Sequence, residues 1–382
     1  MRIGLVTRGE VAYTLDLANQ LSRAGQSVSL YLNYQHAVGE IGTSDRPAER
    51  FHEYGLIPAD CRVTLFRLPR IRDPRSFEVL RKLGRTIRRD GIDVANLLVG
   101  SGELWLSVLP YFLQGIPITS TLTQPIRDIG EPTPFIVLWA FLKVLADKSD
   151  SIIVNGIDQP ELIQQLYGVN PARVSYVPLS ARGTAPRWAK TETSEESGTV
   201  LFFGRAVYHK GLEHLVRAQP IVSQRIPHAR FLIAAHGSDL ERCRRMIQDA
   251  DRFEIHDGFV SGDVMATLFQ RSSMVALPYL CSTSSGVLMT AYQFGKPVVA
   301  TKVSGLSEYV ENGSTGLLVA PGRSHELADA ICKLLNNDPL RRSMGENARR
   351  WVDDLQEDVV QRTLSAYEKA IASRADGRAD PR

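Results

Sequence analysis

Two segments carry side chains that can hold and neutralise a phosphorylated ligand. The first runs Leu201-Phe202-Phe203-Gly204-Arg205-Ala206-Val207-Tyr208-His209-Lys210-Gly211-Leu212. Gly204 lets backbone come close to a ligand. Arg205 and Lys210 stand five apart around a tight loop and can reach one anion, the guanidinium as a planar fork and the ammonium as a point charge. His209, between them, is within reach of the same anion. The apolar run before Gly204 reads as a strand, and Leu212, Leu215 and Val216 after it read as a helix, whose first N–H groups lack intrahelical partners. A departing diphosphate carries the charge such a set would stabilise, and stabilising it as it leaves is transition-state catalysis. An ordinary solvated strand–helix turn fits the same pattern. The second segment, Leu277-Pro278-Tyr279-Leu280-Cys281-Ser282-Thr283-Ser284-Ser285-Gly286-Val287-Leu288, ends a strand in small hydroxyl residues and then opens a helix. Ser284, Ser285 and Gly286 offer hydroxyls and backbone N–H groups there. A plain serine N-cap is the alternative.

The elements that must position these loops are legible around them. Strand-like runs occur at Arg2 to Thr7, Val28 to Leu32, Val63 to Leu65, Val94 to Leu98, Ile118 to Thr121 and Ile152 to Asn155, with helical spacing between them. A second series follows at Val200 to Phe203, Arg230 to Ala234, Arg252 to His256, Met274 to Leu277, Val298 to Ala300 and Leu317 to Val319. Strands alternating with helices give a parallel α/β sheet. Residues 181–198 are polar and mixed and read as a linker. The expected architecture is therefore two Rossmann-like, doubly wound α/β domains facing a cleft, residues 1–185 and 199–350. Residues 351–382 form a final helix and tail that cross back to the first domain. Ligands of such sheets sit at the carboxyl ends of the strands.

The chain has 382 residues and a net charge of +3, which is too little to argue for nucleic acid as a partner. Its four cysteines, Cys61, Cys243, Cys281 and Cys332, form no CxxC pair, so neither a zinc site nor a disulfide framework is indicated. The opening residues lack a signal-peptide pattern, and the longest apolar run, Pro134 to Leu142, is too short to span a bilayer. A cytoplasmic location is expected, peripheral on the inner membrane face if the basic stretch described below docks there.

The two loops, taken with Ala291-Tyr292-Gln293-Phe294-Gly295-Lys296-Pro297-Val298-Val299-Ala300-Thr301, Gly305 to Val310 and Asn312 to Val319, resemble glycosyltransferase family 4, a retaining family of GT-B fold. The resemblance is closest from Val200 to Leu335 and holds for the N-terminal half in layout. It implies transfer of a sugar, with retention, from a nucleotide-diphosphate sugar to a saccharide, glycolipid or other small acceptor. The nucleotide sugar is a substrate, and no cofactor is implied. Arg205 and Lys210 are then the catalytic cations. Gly204, His209, Gly237, Phe259, Val260, Ser284, Ser285, Gly286, Val287 and Thr290 are the donor contacts, with the nucleotide base near Asp257 to Val260. Gly9, Glu10, Asn96, Thr123 and Gln124 are the acceptor-side candidates. No Asp-x-Asp pair lies where a metal motif is expected, so the reaction is expected to be metal-independent.

The sequence also departs from the family pattern. Many members carry two glutamates where Ser282 and Thr290 stand, so the chain resembles a serine-rich variant. Only Gly9 remains of a two-glycine loop after the first strand. Thr123-Gln124 replace a His-Asp pair whose histidine touches the donor sugar. Front-face transfer tolerates these losses, because a diphosphate oxygen can take the acceptor proton. The alternative is a degenerate GT-B protein that binds nucleotide or glycan without turnover.

One further segment stands apart. Arg62, Arg67, Arg70, Arg72, Arg75, Arg81, Lys82, Arg85, Arg88 and Arg89 face only Asp73, Glu78 and Asp90, and residues 76–90 have helical spacing. A basic amphipathic helix, assisted by Trp105, Tyr111 and Phe112, can lie on an anionic membrane. It can also simply pack its apolar face on the domain, or bind an anionic acceptor.

Overall fold

The computed structural model describes residues 1–377 apart from 43–44, 70–72, 101–103, 126–134, 180–184, 190 and 283. Arg70, Arg72, Thr283, the stretch 126–134, part of the stretch 181–198 and the end of the tail lie outside the described residues. The chain divides into two compact units. The first is built on Met1–Arg127 and Glu131–Ser180 and takes in Gln356–Arg382; the second is built on Ala181–Leu355.

In the first unit, the described strands are β1 (Arg2–Thr7), β2 (Ser27–Asn33), β3 (Arg62–Phe66), β4 (Val94–Val99), β5 (Ile118–Leu122), β6 (Ser151–Val154) and β7 (Val174–Tyr176). They form one sheet in the order β3-β2-β1-β4-β5-β6-β7, and every pairing is parallel. β4, β5 and β6 are buried at every position. Parallel strands covered on both faces need such unbroken apolar or hydrogen-bonded runs. β7 went unread in the sequence, because three half-buried residues give no period to detect.

The second unit repeats the plan with β8 (Thr199–Arg205), β9 (Arg230–His236), β10 (Phe253–Asp257), β11 (Met274–Leu277), β12 (Val298–Thr301) and β13 (Gly316–Val319), ordered β10-β9-β8-β11-β12-β13. In each sheet the strand order reverses beside the first strand, and that reversal opens a crevice at the carboxyl edge. The register shows it in the second unit. β8 stays paired with β9 from Thr199↔Arg230 to Arg205↔His236. It pairs with β11 only at Val200↔Met274 and Leu201↔Val275. Beyond Leu201 the two central strands part.

The stretch read as a linker is fastened to the second unit. Trp188 is buried, and its ring lies where a Cβ on Gly262 would come within 2.3 Å. Glu196 accepts from Arg271 Nε at 2.6 Å. Glu195 accepts from Lys296 Nζ at 3.0 Å and also from the buried Arg341 guanidinium. The composition looked solvated because the cations that bind these carboxylates come from 75 or more residues downstream. The last helix, Asp338–Ala375, starts earlier than its apolar spacing suggested, and the chain re-enters the first unit along it at Gln356. There Tyr367 is buried and accepts from Asn96 Nδ2 at 2.8 Å.

Candidate functional site

The carboxyl edge of the second sheet assembles the phosphate-binding candidates around one aromatic ring. β8 ends at Arg205, and Gly204 before it has φ +119, a backbone conformation that disfavours any side chain. The nearest atom to a Cβ built there would be a methyl of Val287, at 3.5 Å, so the two predicted loops meet at this point. The loop after β8 is fixed from three sides. Ala206 N–H donates to His236 O at 2.7 Å, Asp239 N–H donates to Ala206 O at 2.9 Å, and Leu280 N–H donates to His209 O at 2.7 Å. Gly211 (φ +65) and Gly237 (φ +141) allow this packing. A Cβ on the first would fall 2.0 Å from Pro278 O, and one on the second 2.4 Å from Ala206 O.

Lys210 Nζ then sits 3.9 Å above the ring of Tyr279. Tyr279 is 2% exposed, and its hydroxyl lies 3.3 Å from Ser285 Oγ. Burial pushes the Tyr279 phenol up to about 12, opposed by the Ser285 hydrogen bond and by the positive charge of Arg205 nearby. Arg205, Lys210 and Ser285 thus all converge on Tyr279. Ser285 caps the helix Gly286–Gln293, accepting from Leu288 N–H at 3.3 Å. Gly286 and Val287 are the first residues of that helix, so their N–H groups have no acceptor within it. Ser284 is half-buried, and its carbonyl accepts from Ser282 Oγ at 2.9 Å. Phe259 is 66% exposed on the loop after β10, with Val260 half-buried beside it. Its open ring can serve as a stacking surface for a base.

Two expected donor contacts have other surroundings. His209 is 1% exposed, so its ring is packed inside the loop while its carbonyl ties that loop to the end of β11. Thr290 is also 1% exposed, and its hydroxyl donates to Gly286 O at 2.9 Å. This back-bond within its own helix occupies the Thr290 hydroxyl proton.

The first unit gathers Gly9, Glu10 and Thr123 at its own carboxyl edge. Glu10 N–H donates to Thr7 Oγ1 at 3.0 Å, and Glu10 Oε1 lies 3.2 Å from the Thr123 hydroxyl. Gly100, just past β4, makes room for this carboxylate, because a Cβ there would meet Glu10 Oε1 at 2.7 Å. Gln124 is half-buried next in line. Asn96 does not join them. It is fully buried inside β4, donates to Tyr367, and accepts from Thr121 Oγ1 at 3.0 Å. The expectation that Asn96 faces an acceptor is corrected: its amide ties the final helix to the sheet. Tyr279 and Gly100 were not singled out in the sequence, since an aromatic and a glycine in a loop have no signature until their neighbours are placed.

Known proteins resemble the chain along most of its length. A family profile described as Glycosyl transferases group 1 matches residues 197–337, and one described as Glycosyltransferase Family 4 matches residues 7–180. The chain belongs to these glycosyltransferases. Alpha-D-kanosaminyltransferase of Streptomyces kanamyceticus is 33% identical over 152 residues, 39% of each chain. D-inositol 3-phosphate glycosyltransferase of Mycobacterium bovis is 28% identical over 264 residues, 65% of this chain and 52% of the relative. The chain thus spans about two fifths to one half of the length of these curated relatives. Among solved structures, Anabaena HepE in complex with UDP and glucose superposes with a TM-score of 0.69 at 17% identity, covering 99% of this chain and 100% of that one. At that identity the likeness shows the GT-B fold.

Proposed function

We propose that this glycosyltransferase moves a sugar, with retention, from a nucleotide-diphosphate donor held by the second unit to a saccharide, glycolipid or other small acceptor held by the first. The observation that carries the reading is the convergence of Arg205, Lys210 and the Ser285–Gly286 helix start around Tyr279. Two cations and two helix-end N–H groups suit a diphosphate. Family membership and the UDP and glucose in the Anabaena HepE structure support the same donor class.

In the proposed reaction an acceptor oxygen forms a bond to the anomeric carbon on the face from which the diphosphate leaves. The bond from that carbon to the diphosphate oxygen breaks, and the departing oxygen takes the acceptor proton. Arg205 and Lys210 neutralise the charge that develops there. Because Arg205 and Lys210 would supply that positive charge, we propose that no metal is needed. Anomeric configuration read by NMR on the product, with activity measured in chelator, tests both points. An inverted product would overturn retention, and activity restored only by magnesium would overturn metal independence.

One observation favours binding without turnover. Thr290 stands where the resembled family pattern has a glutamate, so no carboxylate is available there, and its hydroxyl donates to Gly286 O. Donor consumption with a stable glycosylated product would dismiss that reading.

We also propose that the helix Arg75–Arg89 docks on anionic membrane. Its Phe77 is 53% exposed, edge-on to Trp105 and Phe112, and Tyr111 is half exposed nearby. Among the described residues no helix is long and apolar enough to cross a bilayer.

A further inference from the structure

A second concavity lies at the carboxyl edge of the first sheet. It encloses about 380 Å³ and is lined by Arg8, Gln35, Leu68, Pro69, Asp73 and Arg75. Arg8 follows β1, Gln35 opens the helix after β2, and Leu68 and Pro69 follow β3. The pocket therefore gathers the ends of three adjacent strands, on the edge where such sheets bind ligands. Its volume is at the low end of the roughly 300–1,000 Å³ of small-molecule sites, which suits a compact polar group rather than an acyl chain.

The charges on its wall are unequal. Among the described lining residues Asp73 is the one carboxylate, and Arg75 holds it: the guanidinium Nε lies 3.0 and 2.9 Å from the two oxygens, and Arg75 N–H donates to Oδ1 at 2.9 Å. That pair is close to neutral as a unit. Arg8 adds a positive charge to the same wall, and its field acts on its surroundings: the His36 imidazole is held below its usual range by burial and then by Arg8. Arg67 lies 3.8 Å over the Tyr34 ring, so another guanidinium is held in place one residue from both Gln35 and Leu68. Leu68 and Pro69 lower the local dielectric, which strengthens a charge-assisted hydrogen bond, and the Gln35 amide can both donate and accept.

We propose that this pocket recognises an anionic group, a phosphate or a carboxylate, on the acceptor, with Arg8 as its main contact and the Arg75–Asp73 pair as a tuned second. The inference rests on the glycosyltransferase reading and narrows its acceptor to a small anionic saccharide or polyol. It also gives Arg75 a use separate from membrane docking.

The test is calorimetric titration of the full chain with glucose, glucose 6-phosphate and glucuronate. Each is measured on the wild type and on an Arg205→Ala/Lys210→Ala background, so that a phosphate cannot report the donor site instead. The proposal expects at least one anionic sugar to bind roughly tenfold or more tighter than glucose on both backgrounds. The two anions distinguish phosphate from carboxylate recognition. Arg8→Gln is expected to erase the preference. Asp73→Asn, which releases Arg75 from its carboxylate, is expected to strengthen it, an effect that loss of folding does not produce. Equal binding of neutral and anionic sugars, or binding that disappears only with Arg205 and Lys210, overturns the proposal. The donor reading is judged separately, by nucleotide binding at Arg205 and Lys210.

Discussion

In the proposed reaction Arg205 and Lys210 neutralise charge on a leaving diphosphate; the loop that carries them is held by backbone hydrogen bonds, and Lys210 Nζ lies over the Tyr279 ring. Removing one preorganised charge-stabilising group costs roughly 10²–10³ in kcat. Arg205→Ala and Lys210→Ala are therefore each expected to lose about that much turnover with an unchanged melting temperature; steady-state kinetics beside thermal denaturation check it. A loss below about threefold would remove either residue from the reaction. Asn96 is expected to behave in the opposite way. Asn96→Ala leaves Tyr367 and Thr121 without their buried partner, a cost of about 1–3 kcal/mol, and leaves donor affinity unchanged. A raised acceptor KM at full stability would return Asn96 to the site. At this scale the sequence was readable where chemistry is local. Gly204, Arg205 and Lys210 are neighbours in the chain, and Ser285 opens a second local motif of the same kind. Asn96 was misplaced because its partner lies 271 residues away.

Strands and helices follow from the sequence more directly than their attachments do. Runs such as Val94 to Leu98 and Met274 to Leu277 mark buried parallel strands by continuous burial alone. The acidic text before β8 gave no sign of its anchorage, since Glu195 and Glu196 are polar in any reading until Arg271, Lys296 and Arg341 are placed around them. The same network makes an acid-sensitive element. Arg271, and then His256, hold the Glu254 carboxyl at about 2, below its ordinary 4.5. A carboxylate depressed by folding stabilises fully above its unfolded value, and the gain is lost as pH falls through the folded one. Glu254 is about one third exposed, so screening keeps its contribution modest. Glu254→Gln is expected to lower stability at pH 7 and to flatten the decline between about pH 4.5 and 2; urea denaturation at several pH values measures this, and an unaltered slope contradicts it. For the helix Arg75–Arg89, Glu78 engages Arg81, Lys82 and Arg85, while Arg88 and Arg89 are exposed at its end. Co-sedimentation should show binding to phosphatidylglycerol vesicles and not to phosphatidylcholine ones, weakening as salt shortens the roughly 10 Å screening length. Equal binding to both, or to neither, would refute membrane docking by charge.

Across the molecule, two units share one strand plan, and each brings its functional candidates to the carboxyl edge beside the strand-order reversal. The repeated alternation of strand and helix made that plan legible. The expected assignment of donor to the second unit and acceptor to the first came from the family resemblance, because strand alternation alone does not say which loop side chains converge. In the second unit Lys210 and Ser285 meet at Tyr279; in the first, Glu10 contacts Thr123, and a pocket is lined by Arg8 and Arg75. The proposed transfer requires the second unit to bind a nucleoside diphosphate through Arg205 and Lys210. Thermal denaturation with UDP, GDP, ADP and dTDP, first without metal and then with magnesium, tests it most directly. One of the four should stabilise the protein, by about 2.7 kcal/mol at one hundred times its dissociation constant, and the Arg205→Ala/Lys210→Ala protein should lose that gain. Stabilisation by none of the four, or equal stabilisation of the double variant, would contradict the account.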